Sequence, residues 1–302
     1  MRRSTTLLTA LTLTACAAPA PPTTEELSAH VRGVSGFFEK HEKGLRSPSG
    51  FLALAGLAWL KEGPNPVGSA AANFIRLPES APANLGTLLL ESGKIRFETA
   101  PGTKVLIGDK ETTQAELKPE GGAAATVKTG SVSFYVIERT GKIGVRIKDT
   151  ENPALKNFKG VDRFPIDWSW RIPAAFHPYT PPRKVAVPNV LGTDFIMDSP
   201  GEVVFEKNGQ EYRLETIGGP DDDSLWVIFA DATNGKETYG AGRFLSVERS
   251  PRDHAVVDFN LAYNPPCAFT PYATCPIPRE QNKIKLRVTA GEKNYAHATR
   301  NH

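Results

Sequence analysis

A mainly β fold is expected from this sequence, with one helix near the start and two β-rich units after it. Three observations predict it. First, 26 glycines and 25 prolines punctuate 302 residues, which leaves short apolar runs between turns in place of long helices. Second, several runs alternate apolar and polar residues; in residues 142–148, Ile143, Val145 and Ile147 share one face, the period of a half-buried strand. Third, Asn208-Gly209 and Asn234-Gly235 each separate two such runs, and Asn-Gly is the favoured two-residue hairpin turn.

Taken in order, residues 1–15 have the form of an export signal. Arg2 and Arg3 precede a short apolar stretch at 7–13, too short to span a bilayer. Leu13-Thr14-Ala15-Cys16 resembles a bacterial lipobox, which implies cleavage before Cys16, lipidation of that cysteine and an exported, lipid-anchored place in the cell envelope, on the outer membrane or the periplasmic face of a two-membrane bacterium. The membrane is thus the expected partner. Residues 16–24 are a tether rich in alanine and proline. Without Arg2 and Arg3 the 36 basic residues fall to 34 against 33 acidic ones, a net charge of +1 with no polybasic block. Nucleic acid is therefore not an expected partner, since it calls for a clustered basic face.

Thr23 and Glu26 form a capping-box pattern, and Leu27, Val31, Val34 and Phe38 recur at helical spacing up to about Leu45. Residues 51–60 are an apolar run flanked by glycine and proline, read as a buried strand with a bulge at Gly56. Short strand signals follow at 87–90, 94–99, 104–107, 124–128, 131–138 and 142–148. Residues 25–150 are one expected unit and 151–302 the second. Near 150–160 the pattern breaks. Residues 164–178 carry Asp167, Trp168, Trp170 and Arg171 among three prolines, which predicts a loop or edge strand, with Arg171 able to stack on tryptophan.

The densest chemistry lies in residues 256–290. Val257, Phe259 and Leu261 alternate with Asp258, Asn260 and Ala262; Asn264 and two prolines then turn the chain out of the sheet; residues 283–288 alternate again as a closing strand. Cys267 and Cys275 bracket the loop. An exported compartment favours a disulfide between them, while the spacing suits zinc poorly; free or metal-bound thiols remain the alternative. No metal or cofactor is otherwise indicated. Upstream, Tyr239-Gly240-Ala241-Gly242-Arg243 sets a guanidinium between glycines. If consecutive strands pair, Arg243 lies near Asp258 and Asn260, either as a buried ion pair or as a pocket for an anionic or polyol ligand.

Residues 46–150 resemble the forkhead-associated β-sandwich in outline. That implies the scaffold only, because Ser69 follows Gly68 where the family has its phosphate-binding arginine. The blocks GLAWLKEG, NPVGS, FPIDWSWR, TYGAGRF, DFNLAYNPPCAFTPYATCP and TAGE are similar to a bacterial family of unknown function, number 1684, over about residues 25–293. The resemblance implies no reaction. It marks Trp170, Arg171, Tyr239, Gly240, Gly242, Arg243, Asp258, Asn260, Asn264, Cys267 and Cys275 as motif positions. No Gly-x-Ser-x-Gly, His-Glu-x-x-His or Walker pattern is present. The expected function is a non-enzymatic envelope lipoprotein whose β scaffold binds a small polar ligand, a glycan or an envelope protein through Trp170, Arg171, Tyr239, Arg243, Asp258, Asn260 and Asn264. The alternative is a hydrolase-like enzyme using Asp258 with Arg243.

Overall fold

A helix capped at both ends of its first turn opens the described chain. The computed structural model describes residues 21–108, 110–119, 126–249 and 254–295, so the export signal and Cys16 lie outside the described residues. Helix α1 (Thr24–Leu45) starts where the sequence places it: the Thr23 hydroxyl accepts from the Glu26 N–H, and the Glu26 carboxylate accepts from the Thr23 N–H at 2.8 Å. Val34, Phe38 and Leu45 form its buried stripe.

The chain then builds a two-sheet sandwich. Its strands are β1 (Leu54–Trp59), β2 (Gly63–Gly68), β3 (Ile75–Arg76), β4 (Gly86–Glu91), β5 (Lys94–Thr99), β6 (Val105–Ile107), β7 (Lys110–Thr112), β8 (Gln114–Leu117), β9 (Val127–Thr129), β10 (Val132–Arg139) and β11 (Lys142–Asp149). One sheet runs β1-β11-β10-β9-β6-β7 and the other β3-β2-β4-β5-β8. Phe97 and Phe134, one from each sheet, meet edge to face at 5.4 Å in the core between them. The register of β1 on β11 slips between Leu54 and Gly56, which is the bulge expected at that glycine.

A short helix α2 (Pro153–Asn157), capped by Asn152, leads to the second half. There a single antiparallel sheet runs β14-β13-β12-β17-β16-β15. Its strands are β12 (Arg171–Pro188), β13 (Asp194–Lys207), β14 (Gln210–Glu215), β15 (Ser224–Phe229), β16 (Arg243–Arg249) and β17 (His254–Asp258). Phe259, fully buried, is the hub of this core, with Trp170, Phe205 and Phe229 set edge to face around it at 5.4–5.9 Å.

Four expectations need correction. Residues 171–178 are neither loop nor edge but part of a long strand in mid-sheet. The prolines fit because β17 covers β12 only from Arg171 to Ala175 and β13 only from Ala175 onward, so nearly every residue is paired on one side alone. The alternation through Leu261 stops at Asp258, whose carboxylate accepts from the Asn260 N–H and tightens residues Phe259–Leu261 into a single helical turn. Residues 283–288 are extended but form no strand; they are held by an isolated bridge of Lys283 to Ala230 and by the Ala232 N–H to Leu286 carbonyl bond. Finally, Asn208 and Gly209 do make the expected tight hairpin, both at positive φ, whereas Asn234-Gly235 lies in a long connection between β15 and β16. Asp231 folds that connection by accepting from the Thr233 N–H and hydroxyl.

Truncation of the hub tests this core. Phe259→Ala is expected to lower the unfolding free energy by about 3–5 kcal/mol, seen as a lower urea midpoint with an unchanged slope.

Candidate functional site

The motif residues do not converge; the fold sorts them into separate groups. Arg243 is fully buried and pairs with Asp231 at 2.8 Å, not with Asp258. Its other terminal donors reach the carbonyls of Ala290, at 2.5 Å, and of Glu292 and Val288, both at 3.2 Å, while its buried Nε makes no hydrogen bond among the described residues. Burial pulls its pKa down while Asp231 opposes that shift. Every charge here is turned into the protein, so Arg243 has no face for a ligand.

Asp258 instead meets the helix: its Oδ2 lies 2.7 Å from His30 Nε2, and its Oδ1 accepts from the Asn260 side chain at 2.8 Å. Asn260 in turn donates to the Asp167 carbonyl and accepts from the Asp167 N–H, both at 2.9 Å. Trp168 stands edge-on to His30 at 5.2 Å, with the Arg171 guanidinium over its ring at 5.2 Å. Trp170 is buried, with the Lys207 ammonium 4.5 Å from its ring centre. This group clamps α1 to the second sheet. The pairing of Asp258 with Arg243 that a hydrolase reading requires is absent from the geometry.

Cys267 and Cys275 lie side by side but are free thiols, which corrects the expected disulfide. The backbone N–H of each faces the sulfur of the other, at 3.1 and 3.4 Å, so the loop closes through hydrogen bonds to sulfur. The Tyr239 hydroxyl donates to the Cys267 carbonyl at 3.2 Å, and burial pushes its pKa up to about 12. Among the described residues no group of His, Cys, Asp or Glu side chains is placed to hold a metal ion.

Asn264 and Cys275 are the motif residues that border a cavity with unspent polar groups. The cavity, about 540 Å³, lies where α1, the sandwich and the second half meet, and His41, Arg146, Trp226, Phe244, Tyr263 and Asn264 are in its wall. Among the described residues, five buried side-chain atoms without a hydrogen bond gather here: His41 Nε2, Arg146 Nε, Trp226 Nε1, Asn264 Oδ1 and, just beneath, Glu292 Oε1. The Trp226 indole N–H lies beside the Tyr263 hydroxyl without making a full hydrogen bond to it. Glu292 Oε1 is 3.6 Å from His41 Nε2, while Oε2 accepts from the Asn264 N–H at 2.7 Å. Buried polar atoms are almost always paired, so such a concentration is the mark of a site. A larger cavity of about 710 Å³ beside Leu54, Asp149 and Asn152 lacks it, since Asn152 there donates to the Leu54 carbonyl and accepts from the Ala154 N–H.

Electrostatics at the base of the cavity favour neutral groups. Burial raises the Glu292 carboxyl to about 7, against the Asn264 N–H and the more distant Arg163 and Arg243. Burial likewise lowers the His41 pKa, with Glu42 opposing. A neutral imidazole over a carboxyl that is half protonated near neutrality can both donate and accept a hydrogen bond.

His41, Arg146, Trp226, Tyr263 and Glu292 escaped the sequence reading, though three left traces. His41 stands in the apolar stripe of α1 between Phe38 and Leu45. Arg146 occupies the face of β11 opposite Ile143, Val145 and Ile147. Glu292 ends the TAGE block.

Glu292 makes stability depend on pH in a defined direction. With its pKa raised from 4.5 to about 7, the stabilisation from the protonated carboxyl is complete below pH 4.5 and is lost as pH rises through about 7. His41 contributes with the opposite sign below pH 6.5. Glu292→Gln is therefore expected to be more stable than the parent at pH 8 by about 3 kcal/mol, with the two converging near pH 4.5. Urea unfolding across that range reads the difference, and parallel curves would exclude a raised Glu292.

Residues 156–293 match the family model described as "Protein of unknown function (DUF1684)", a narrower span than the sequence blocks imply. The solution NMR structure of an uncharacterized protein from Haloarcula marismortui is 27% identical, covering 46% of this chain and 78% of that one, with a TM-score of 0.40. No curated protein matches the chain.

Proposed function

We propose, for a chain whose residues 156–293 match the DUF1684 family model, that it is a cell-envelope lipoprotein that binds a small ring-bearing anion in the cavity of His41, Arg146, Trp226 and Asn264. One observation carries the reading: five buried polar atoms that make no hydrogen bond among the described residues, around a cavity of about 540 Å³, a volume within the usual range for small-molecule sites. The rest of the wall is consistent with a flat, apolar body. Phe51, Phe195, Met197 and Phe244 line it, and Trp226 and Phe244 hold each other edge to face at 4.6 Å. Arg146 supplies the positive charge; its Nη2 donates to Thr274 at 3.2 Å and its buried Nε makes no hydrogen bond among the described residues. Imidazole and amide at the base would orient a polar edge of the ring.

The fluorescent aromatic anion 8-anilinonaphthalene-1-sulfonate tests the cavity directly. One equivalent is expected to bind saturably to the folded protein, with affinity falling about tenfold or more in Arg146→Met, as loss of a charge-assisted contact predicts, and unchanged in Arg213→Met on the distant surface. Absence of saturable binding, or equal affinity in the two variants, would overturn the reading.

The envelope part of the reading rests on residues 13–16 and on the tether that leads into α1. Cys16→Ala is expected to move the protein from the membrane fraction to the soluble fraction of the exported pool. A variant that stays with the membrane after a high-salt wash would refute lipid anchoring at this cysteine.

A further inference from the structure

Outside the cavity, the exposed face of the sandwich carries charge that nothing so far uses. In the register of β9, β10 and β11, Ser133 lies opposite both Lys128 and Lys148, and Tyr135 lies opposite Arg146. Side chains at alternate positions share a face, so Lys128, Ser133, Tyr135, Arg146 and Lys148 stand together on one patch of three adjacent strands. They line a second cavity of about 680 Å³, and Arg139 and Arg146 belong to the walls of both cavities. No aspartate or glutamate is found among the described residues lining either one. A net charge of +3 on a chain with 33 acidic side chains makes such a one-sided patch a local feature, and local excess of one sign is how a protein reads a charged ligand.

The geometry points to a phosphate group on the ligand: a ring seated in the cleft of Trp226 and Asn264, with its phosphate lying on Lys128, Arg146 and Lys148. This deepens the binding reading above and rests on it. Three cations exceed what one carboxylate needs, and a phosphate monoester near neutral pH carries between one and two negative charges with three acceptor oxygens. Arg146 joins the two parts. It is 7% exposed, its side chain lines both the ring cavity and the basic one, and its Nε makes no hydrogen bond among the described residues; a guanidinium can grip two phosphate oxygens at once. Lys148 is half-buried; its Nζ donates to the Ser49 carbonyl, and burial with the neighbouring Arg146 lowers its pKa, so an anion here relieves an existing electrostatic cost. The hydroxyls of Ser49, Ser131 and Ser133 also line this cavity and suit the remaining phosphate oxygens.

Displacement of 8-anilinonaphthalene-1-sulfonate separates this inference from the reading beneath it, because binding of the dye tests the cleft alone. The competitors are adenosine 5′-monophosphate and phenyl phosphate, each against its dephosphorylated partner, adenosine and phenol, with inorganic phosphate as a fifth. At least one phosphorylated ring is expected to compete tenfold or more better than its partner. That advantage is expected to shrink between 50 and 200 mM salt, as for exposed charges, and to disappear in the Lys128→Gln/Lys148→Gln protein, whose dye affinity and dephosphorylated-ring affinities stay within twofold of the parent. Equal competition by phosphorylated and unphosphorylated rings, or an advantage that survives the double substitution, overturns the phosphate site while the cleft stands. Inorganic phosphate competing as well as both esters overturns the joining of ring and phosphate in one ligand.

Discussion

The buried guanidinium of Arg243 is the constraint on which the second half depends. With the side chain wholly inside the protein, its charge must be matched, because an uncompensated charge at such depth costs several kcal/mol. Asp231 supplies the countercharge, and the carbonyls of Val288, Ala290 and Glu292 take the other donors of Nη1 and Nη2. Those carbonyls belong to a closing segment that forms no strand of its own. Arg243 therefore does for residues 288–292 what a sheet ladder does elsewhere, and it fixes where the Glu292 side chain emerges. Glycines on both sides make this possible. Gly242 has φ +99°, and a side chain there would meet the Phe229 carbonyl; Gly291 has φ +75°, and a side chain there would meet the Ala262 carbonyl. The TYGAGRF and TAGE blocks are two ends of one device.

What this device positions is not well satisfied, and that contrast is informative. Around Arg243 four hydrogen bonds are made from Nη1 and Nη2 and only Nε is left without one, while a few residues away Asn264 Oδ1, Glu292 Oε1 and His41 Nε2 have none. Leaving one buried polar atom unpaired costs about 1–3 kcal/mol. Five of the seven buried side-chain atoms without a hydrogen bond among the described residues lie in or just under the cavity, so the cost is concentrated there. Strain of this kind is characteristic of places where a ligand completes the structure.

Much of the fold was legible because it is local. The capping box at Thr23, the Asn208-Gly209 turn and the alternation in β11 each depend on residues a few positions apart, and each appears where those residues put it. The site was illegible because it depends on parity and on distance. Pairing of β16 with β17 places Arg249 opposite Ala255; continued along the strands, that register sets Ser246 opposite Asp258. Arg243 is three residues from Ser246, an odd number, and so points to the other face. His41, Arg146, Trp226, Asn264 and Glu292 come from five separate stretches of chain, with nothing in any one of them to indicate the other four.

Helix α1 links these observations. His30 and His41 are 11 residues apart, close to three full turns at 3.6 residues each, so they lie on the same stripe as Val34 and Phe38. One histidine meets Asp258 at 2.7 Å and the other approaches Glu292 at 3.6 Å. Both carboxylates sit at ends of the second-half core, Asp258 where β17 stops and Glu292 where the closing segment passes under Asn264. The helix thus carries two polar contacts at fixed separation across an otherwise apolar face, and such contacts determine register where hydrophobic packing alone would tolerate sliding. The first contact is complete and the second is not. The C-terminal turns, which bring His41 and Leu45 to the cavity wall beside Arg146 of the sandwich sheet, are fixed instead by Glu42, which accepts from Arg163 at 3.2 Å, and by the Arg46 guanidinium over the Phe158 ring.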